Sequence, residues 1–362
     1  MKLNIDNRLI IAYNSTISMF QPRYAITDRL LKNINRINSL VNELNNRRFP
    51  HVVLLEFEKT ASAVSSYAST SIEGNPLPLT EVKKILKSKP QYIRDSEKEV
   101  LNYNQALQDL NEKLKDGKVK ISLELILKIQ EQVASGLLSA SESGNLRQQP
   151  VWVNDPKTGQ SVFLPPDYRD VKLMVEDLIN FVLESKDKID PLILAGIFHK
   201  QMVLIHPFMD GNGRTTRLAT KVLLAQMNLN TFNLFSFENY YNKNITKYFQ
   251  SVGEFGNYYE LIDKIDFTLW LEYFTEGIID ELLRVQKLLP EAGISPDTQL
   301  RDYHLKILDY IRENGFITDR NYAKLSDRAK ATRTLDFQKL INLGLIERKG
   351  KGRATYYVLK EK

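Results

Sequence analysis

Cysteine is absent from the 362 residues, which excludes disulfide bonds and any metal site built on thiolate ligands. Long apolar runs are absent as well, since none approaches the roughly 18–20 residues that a membrane span needs. Residues 1–7 lack the uninterrupted apolar stretch of a signal peptide. Together these absences predict a cytoplasmic chain that has no membrane partner.

Two common phosphate-binding sequences are also missing. The chain contains no Gly-x4-Gly-Lys-Ser/Thr loop and no protein-kinase catalytic loop. Any phosphate site in this chain must therefore be of another kind.

Length and charge distribution predict more than one domain. The chain exceeds the size at which a single core usually keeps growing. Residues 296–362 contain 15 Lys/Arg and 9 Asp/Glu, so this piece alone carries the net charge of +6 of the whole chain. The preceding segment, 289–296, has the composition of a linker. We predict an N-terminal helical region (1–115), a central core (116–290) and a basic C-terminal region (296–362).

The N-terminal region is predicted to be helical, because the strand-forming clusters of Val, Ile and Thr are mostly missing from residues 21–115. The apolar spacing predicts helices over about 28–44, 54–72, 80–87 and 95–115, with Thr27 or Asp28 capping the first. The second helix is rich in alanine and serine, so another element can approach it closely.

Glu73 lies at the C-terminal end of the second predicted helix, immediately before Gly74. The helix dipole disfavours an anion there by about 0.3–1 kcal/mol. Ser69 lies four residues earlier and so shares a face with Glu73. The local sequence alone leaves a solvated glutamate before a glycine stop as an equally good interpretation.

A β-hairpin is predicted inside the central core, between helices over about 122–140 and 168–184. Two β-prone runs, 151–154 and 161–163, flank an Asp-Pro-Lys-Thr-Gly turn. With unpaired edges, such a hairpin can accept an extended peptide by strand addition. Without further information a plain surface hairpin is the favoured interpretation.

Residues 205–217, IHPFMDGNGRTTR, concentrate the chemistry. An apolar helix over about 192–204, begun by Asp190 and Pro191, leads into them. Pro207 should end that helix at His206 and leave an exposed imidazole, which suits a general base near neutral pH. Phe208 is expected to anchor the loop in the core.

The second half of this segment predicts an anion site. Gly211-Asn212-Gly213 permits positive φ, so that successive backbone N–H groups can point at one anion. A helix from Arg214 to about residue 227 adds the positive end of its dipole. Arg214 and Arg217 are misplaced in its first turn unless a polyanion binds there. Asp210, beside that anion, is a candidate Mg²⁺ ligand.

Residues 206–217 resemble the complete Fic-family signature, H-x-F-x-D/E-G-N-G-R-x-x-R, without a substitution. Ser69-x3-Glu73-Gly74 resembles that family's inhibitory motif, S/T-x3-E-G/N. The resemblance covers most of residues 21–290. It implies a mainly α fold, a helical core with a β-hairpin flap. The implied reaction transfers AMP from ATP to a Ser, Thr or Tyr hydroxyl of a protein, the enzyme itself included.

The resemblance also implies a role for each matching residue. His206 would be the catalytic base, Asp210 would hold Mg²⁺, and Glu73, supported by Ser69, would pair with Arg217 and block the γ-phosphate. The hairpin would be the flap that holds the target peptide. The residues implied to contact ATP are Gly211, Asn212, Gly213, Arg214, Thr215, Thr216, Arg217 and, on the adenine side, Asn244. Plain core packing remains the alternative for the aromatic segment around Asn244.

The C-terminal region resembles a winged helix-turn-helix. Its pattern predicts three helices (about 303–314, 317–325 and 327–342) and two strands (343–348 and 354–359) around a basic turn. Lys330, Arg333 and Lys339 of the third helix, with that turn, predict a surface for DNA phosphates. Protein contact or homodimerisation through residues 296–362 is the alternative.

Three functions are compatible with the sequence. The first is an autoinhibited protein adenylyltransferase, and the second is a DNA-binding regulator whose core senses a nucleotide. The third is an enzyme that removes AMP, with Glu73 positioning water. The intact His206 and Asp210 favour an enzyme, because a sensor has no need of a base.

Overall fold

The computed structural model describes residues 20–47, 51–88, 90–115, 117, 119–154, 161–289, 300–343 and 345–360. The tip of the predicted hairpin, the N-terminal residues 1–19 and nearly all of the predicted linker lie outside these ranges. Within them the chain is mainly helical with five short strands, as predicted. No helix in the described ranges is both long and apolar enough to cross a membrane.

Four helices form the N-terminal region, as the sequence predicts. They are α1 (Asp28–Asn45), α2 (His51–Ile72), α3 (Leu79–Lys87) and α4 (Asp95–Lys115). Thr27 is the cap of α1, since its hydroxyl accepts the backbone N–H of Leu30 at 3.1 Å. The same hydroxyl donates to Glu272, which attaches the start of α1 to the helix Thr268–Leu288.

Eight α-helices follow among the described residues of the central region. They are α5 (Leu123–Ala134), α6 (Tyr168–Ser185), α7 (Pro191–Ile205), α8 (Asn212–Ala225), α9 (Glu238–Lys243), α10 (Ile245–Val252), α11 (Tyr258–Leu261) and α12 (Thr268–Leu288). The prediction that the helix at 122 continues to residue 140 is wrong. It ends at Ala134 because Gly136 adopts a left-handed φ of +64°.

The hairpin forms a three-stranded sheet. Strand β1 (Val153–Asn154) pairs antiparallel with β2 (Ser161–Leu164), and β2 pairs parallel with β3 (Gly256–Asn257). The expected unpaired edge of β2 is therefore occupied at Phe163 and Leu164. Sequence reasoning missed β3 because a Gly-Asn pair is typical of turns.

Helix α7 is the central element of the core. Asp190 caps it by accepting the N–H of Leu192 at 2.8 Å, and nearly every side chain along it is buried. At Gly196 it touches α12 so closely that a Cβ would lie 2.5 Å from a methyl group of Leu271. The indole of Trp270 donates to the carbonyl of Gly196 at 2.8 Å. This packing fixes the N-terminal half of α7 against α12, and the site begins at the other end of the helix.

One hydrophobic cluster extends from Leu30 in α1 to Leu289 after α12. It crosses the predicted boundary at residue 115, so α1–α4 and α5–α12 share a core. A second cluster lies within residues 300–360, and Ile307, Phe337 and Leu340 are among its members. The chain therefore has two cores among its described residues.

The second core belongs to three helices and a β-hairpin. They are α13 (Asp302–Asn314), α14 (Asp319–Leu325), α15 (Lys330–Asn342), β4 (Ile346–Lys349) and β5 (Tyr356–Leu359), the two strands antiparallel. α15 begins three residues later than predicted.

One residue of the predicted basic surface is not available to a partner. The guanidinium of Arg333 donates to both carboxylate oxygens of Asp319, at 2.8 and 3.0 Å, and to the carbonyl of Arg328 at 2.7 Å. Arg333 thus holds α15 against α14, whereas Lys330 is exposed.

Candidate active site

His206 terminates α7 in the left-handed conformation, with φ +50° and ψ +60°. Histidine tolerates this region better than most residues, and Pro207 prevents the helix from continuing. The imidazole is half-buried, so the expectation of an exposed ring is wrong. Its Nδ1 lies 3.3 Å from the carbonyl oxygen of Val203.

This contact assigns the tautomer of His206. A carbonyl oxygen only accepts hydrogen bonds, so Nδ1 carries the proton and Nε2 has the free lone pair. Burial lowers the pKa of the imidazole below its usual value, which keeps the ring neutral at physiological pH. A neutral ring with a free Nε2 is the form that a general base requires.

The loop after His206 is held by its own residues. Phe208 is fully buried, as predicted. The side-chain amide of Asn212 binds the backbone of Phe208 twice, accepting its N–H and donating to its carbonyl, both at 2.9 Å. These bonds start α8 at Asn212, two residues earlier than predicted, so Asn212 and Gly213 belong to the first helical turn.

The N-terminus of α8 is a candidate anion site, and a carboxylate already lies beside it. Gly211, with φ +79°, lets the chain turn into the helix, whose first backbone N–H groups have no intrahelical acceptor. Gly213 has no side chain where Glu73 lies, since a Cβ there would be 2.0 Å from Glu73 Oε1. Glu73 therefore occupies space beside the N–H groups that an anion would use.

Arg217 is held by the end of α2. Its Nη2 donates to Glu73 Oε1 at 2.7 Å and to the carbonyl of Ser69 at 2.8 Å, and its Nε donates to Ser69 Oγ at 2.8 Å. The arginine side chain is fully buried, while 27% of the Glu73 side chain is exposed. Burial opposes the charge on Arg217, but Glu73, Tyr248 and Tyr103 together outweigh it and raise the pKa of the guanidinium.

Arg214 is held by two carboxylates. Its Nη1 lies 2.6 Å from Glu99 on α4, and its Nη2 donates to Asp210 at 2.9 Å. Glu99 also accepts from the amide of Asn75 at 2.6 Å, which connects this pair to the chain just after Glu73. Burial raises the pKa of the Glu99 carboxyl. Sequence reasoning missed Glu99, since nothing in the pattern of α4 distinguishes it.

Asp210 is the exposed carboxylate of the loop. Among the described residues no three His, Asp or Glu side chains converge as a metal site. A Mg²⁺ ion bound at Asp210 would therefore take its other ligands from nucleotide phosphates and water, which is a usual arrangement for this ion. The donor chemistry thus fits a nucleotide-borne Mg²⁺.

The other residues predicted to contact ATP are Thr215, Thr216 and Asn244. Thr215 and Thr216 are fully buried in α8, and their hydroxyl oxygens have no hydrogen-bond partner among the described atoms. Asn244 is exposed, and its side chain caps α10 by accepting the N–H of Lys247 at 3.0 Å. Its contact with a nucleotide stays a prediction. Tyr241 and Tyr248, on either side of it, are buried and stacked at 4.7 Å.

Two further residues that hold the site were not predicted. Gln130 of α5 donates to the backbone carbonyl of Asp210 at 3.1 Å. Arg147, in the segment between α5 and the hairpin, donates to the carbonyl of His206 at 2.9 Å. Both act through backbone carbonyls, which have no sequence signature.

Comparison with known proteins agrees with this geometry. Residues 120–224 match the Fic/DOC family. Protein adenylyltransferase fic-1 of Caenorhabditis elegans is 30% identical over 208 residues, which cover 56% of this chain and 38% of the relative. Protein adenylyltransferase Fic of Drosophila grimshawi is 29% identical over 180 residues, 49% of this chain and 35% of the relative. The chain thus spans little more than a third of these relatives' lengths.

A solved structure extends the likeness to nearly the whole chain. A Fic family protein from Desulfovibrio desulfuricans G20 superposes with a TM-score of 0.65 at 20% identity, covering 95% of this chain and 99% of that one. At this identity the match concerns the fold. It agrees with the family match over residues 120–224: the chain contains a segment that matches the Fic/DOC family, within a fold similar to that of a Fic family protein.

Proposed function

We propose that this chain is a protein adenylyltransferase, which transfers AMP from ATP to a Ser, Thr or Tyr hydroxyl of a protein, itself included. The curated relatives that it matches carry that name. The observation that carries the proposal is a His206 with a free Nε2, followed in the same loop by the N-terminus of α8, whose first two turns contain Arg214 and Arg217. A base next to an anion site is what transfer of a charged phosphoryl group requires.

In the proposed reaction, Nε2 of His206 takes the proton of the acceptor hydroxyl. The hydroxyl oxygen forms a bond to the α-phosphorus of ATP, and the bond between that phosphorus and the bridging oxygen to the β-phosphate breaks. Pyrophosphate leaves with the electron pair of the broken bond. The N–H groups at the start of α8 and the two arginines stabilise the phosphate charge. Asp210 would hold Mg²⁺, which would supply further charge neutralisation.

The pair between Glu73 and Arg217 is proposed to inhibit this reaction. Arg217 donates from Nε to Ser69 of α2 and from Nη2 to Glu73. Glu73 also lies against Gly213 at the start of α8. A nucleotide phosphate that needs Arg217 must displace the carboxylate, because two anions cannot share that space. ATP would therefore bind, if at all, with its phosphates displaced from the position needed for attack.

The test is mass spectrometry of the purified protein after incubation with ATP and Mg²⁺, comparing the natural sequence with Glu73→Gly. We expect a mass increase of one or more AMP groups, several-fold greater in the variant. ATP should also bind the variant more tightly, because the substitution leaves the buried Arg217 short of an anion. Glu142→Gly, at a half-buried position in the turn that follows α5, is the matched control and should behave like the natural protein.

Adding His206→Ala to Glu73→Gly should abolish the mass increase while ATP binding persists. If Glu73→Gly binds ATP but gains no mass, alone or with a cell lysate as acceptor, the transferase proposal is wrong. If the natural protein removes AMP from a modified protein and Glu73→Gly does not, the reverse activity is favoured instead. Equal labelling of the natural protein and Glu73→Gly would refute the inhibitory role of Glu73 and leave the transferase proposal standing.

We also propose that the C-terminal region binds DNA as a winged helix-turn-helix. Residues 300–360 form three helices and a two-stranded wing with an excess of lysine and arginine over acidic residues. Lys330 is exposed at the start of α15, while Arg333 is engaged by Asp319. Phosphate contact therefore falls to Lys330 and the basic wing rather than to Arg333.

This second proposal predicts binding of duplex DNA by the full chain, with an affinity that falls steeply as salt increases. Lys330→Ala should weaken binding and reduce the salt slope by about one. Lys172→Ala, on the exposed face of α6, is the control and should change neither. Absence of salt-sensitive binding by the natural protein would favour a protein partner or a second copy of the chain.

A further inference from the structure

Arg147 is a buried cation bound to backbone carbonyls. Only 2% of it is exposed. Its guanidinium donates to the carbonyls of His206 at 2.9 Å, Gln149 at 3.2 Å, Pro166 at 2.5 Å and Ile205 at 3.5 Å. Burying a guanidinium is costly unless its N–H groups are satisfied, and these four acceptors satisfy it.

Two of these carbonyls belong to the end of α7. Ile205 is the last helical residue, and His206 is the left-handed residue that follows it. Carbonyls at a helix C-terminus lack intrahelical partners, and the dipole favours a cation there. The backbone N–H of Arg147 also donates to the carbonyl of Pro207 at 3.0 Å, so three consecutive residues around the base are bound by one arginine.

The other two carbonyls lie at the base of the hairpin. Gln149 precedes β1, and Pro166 follows β2. Arg147 therefore holds both ends of the hairpin and the end of α7 at the same time. Its planar, forked guanidinium suits this task, whereas a lysine ammonium carries the charge without the fixed geometry.

We propose that Arg147 is a positioning residue, which fixes the backbone of His206 relative to the base of the hairpin so that the imidazole meets an acceptor held there. The proposal rests on the transferase function proposed above. Among the described residues, the hydrogen-bond acceptors of the Arg147 guanidinium are all backbone carbonyls of the α7 end and the base of the hairpin, and none belongs to the start of α8. Arg147 should therefore affect the transfer step and leave nucleotide binding unchanged.

The test is Arg147→Lys in the Glu73→Gly background, with automodification by labelled ATP as the readout. We expect the rate at saturating ATP to fall about tenfold or more, since a misplacement of about 1 Å can cost about a hundredfold. The ATP concentration giving half the maximal rate should change less than about twofold. Arg169→Lys, an exposed arginine just after the hairpin, is the matched control and should retain the parent rate.

A pH profile separates positioning from general loss of structure. If Arg147 positions His206, the acidic limb of the rate should move in Arg147→Lys, because the environment of the imidazole changes. If the lysine variant does not fold, Arg147→Gln, which keeps an amide donor, takes the same measurements. A parent-like rate and pH profile in either folded variant would overturn the proposal, as would a parallel loss of ATP binding. If Glu73→Gly itself transfers no AMP, the transferase proposal fails instead.

Discussion

At the scale of single residues, every charged group of the site is already engaged by the protein. Arg217 is bound by Glu73 and Ser69, and Arg214 is bound by Glu99 and Asp210. A polyanion can therefore enter only by exchanging partners with these carboxylates. The structure describes a site whose positive charge is balanced in advance.

The first prediction concerns the pH dependence of transfer. The base must be neutral, so activity is present above the pKa of His206 and is lost as the pH falls through it. Burial lowers that pKa below the usual 6.5, so the acidic limb should have its midpoint below 6.5. The measurement is the rate of automodification by Glu73→Gly at saturating ATP between about pH 4.5 and pH 8. A midpoint above 6.5 would contradict the buried, neutral imidazole.

Residues were predictable where they belong to a compact pattern. The segment 206–217 was recognisable because its members are adjacent in sequence, and the family resemblance linked Glu73 to Arg217. Glu99, Gln130 and Arg147 were not found, because each meets the site from a distant segment. Arg147 and Gln130 bind backbone carbonyls, so no complementary side chain could reveal them.

At the scale of elements, α2 packs against its neighbours through small residues. Ser65, Ser66, Ser69 and Thr70 of α2 are all buried. Ser65 of α2 donates to the carboxylate of Glu238 on α9, which also accepts the hydroxyl of Tyr103 on α4 at 2.9 Å. This carboxylate gives α2 a second polar contact, in addition to the one between Ser69 and Arg217. The alanine- and serine-rich composition of this helix predicted a close approach, and the buried serines account for it.

The second prediction concerns Ser69→Ala. The substitution removes the hydroxyl acceptor of Arg217 Nε, and an unsatisfied buried donor costs about 1–3 kcal/mol. Glu73 and the Ser69 carbonyl still hold Nη2, so the inhibition should weaken without being lost. We expect AMP incorporation between that of the natural protein and that of Glu73→Gly, measured side by side. Ser71→Ala, on the same helix, is the control; an increase as large as that of Glu73→Gly would contradict this division of roles.

Element types were predictable, but several boundaries were not. α8 begins early because the Asn212 side chain binds the backbone of Phe208, a contact that overrides the loop tendency of two glycines. α5 ends early at Ala134, before the left-handed Gly136, although apolar residues continue beyond it. β3 depends on the hairpin as its partner, and pairing with a distant strand cannot be deduced from a two-residue segment.

At the scale of the whole molecule, the chain combines a large core of α1–α12 with a small one in residues 300–360. The basic excess of the sequence lies in the small one, as the charge count indicated. The division between them was predictable from composition, whereas the sharing of one core across residue 115 required the tertiary packing of α1 on α12.

The third prediction tests the independence of the two cores. Leu340 is fully buried in the smaller cluster, so Leu340→Ala should destabilise that part by about 2–5 kcal/mol. Calorimetry should show a lowered transition for residues 300–360 beside an unchanged main transition. AMP incorporation by Glu73→Gly should be the same with and without the substitution. A single cooperative transition that moves as a whole would show that the two cores unfold together.

Glu73 does not belong to α2 itself, because the helix ends at Ile72 and Gly74 turns the chain at φ +95°. Releasing the carboxylate therefore needs only a rotation of one partly exposed side chain. Such rotations take picoseconds to nanoseconds, whereas departure of a packed helix takes microseconds or longer. The inhibition proposed for Glu73 would then equilibrate far faster than an enzyme turns over. It would set the fraction of active molecules at each instant and permit a low, steady basal rate.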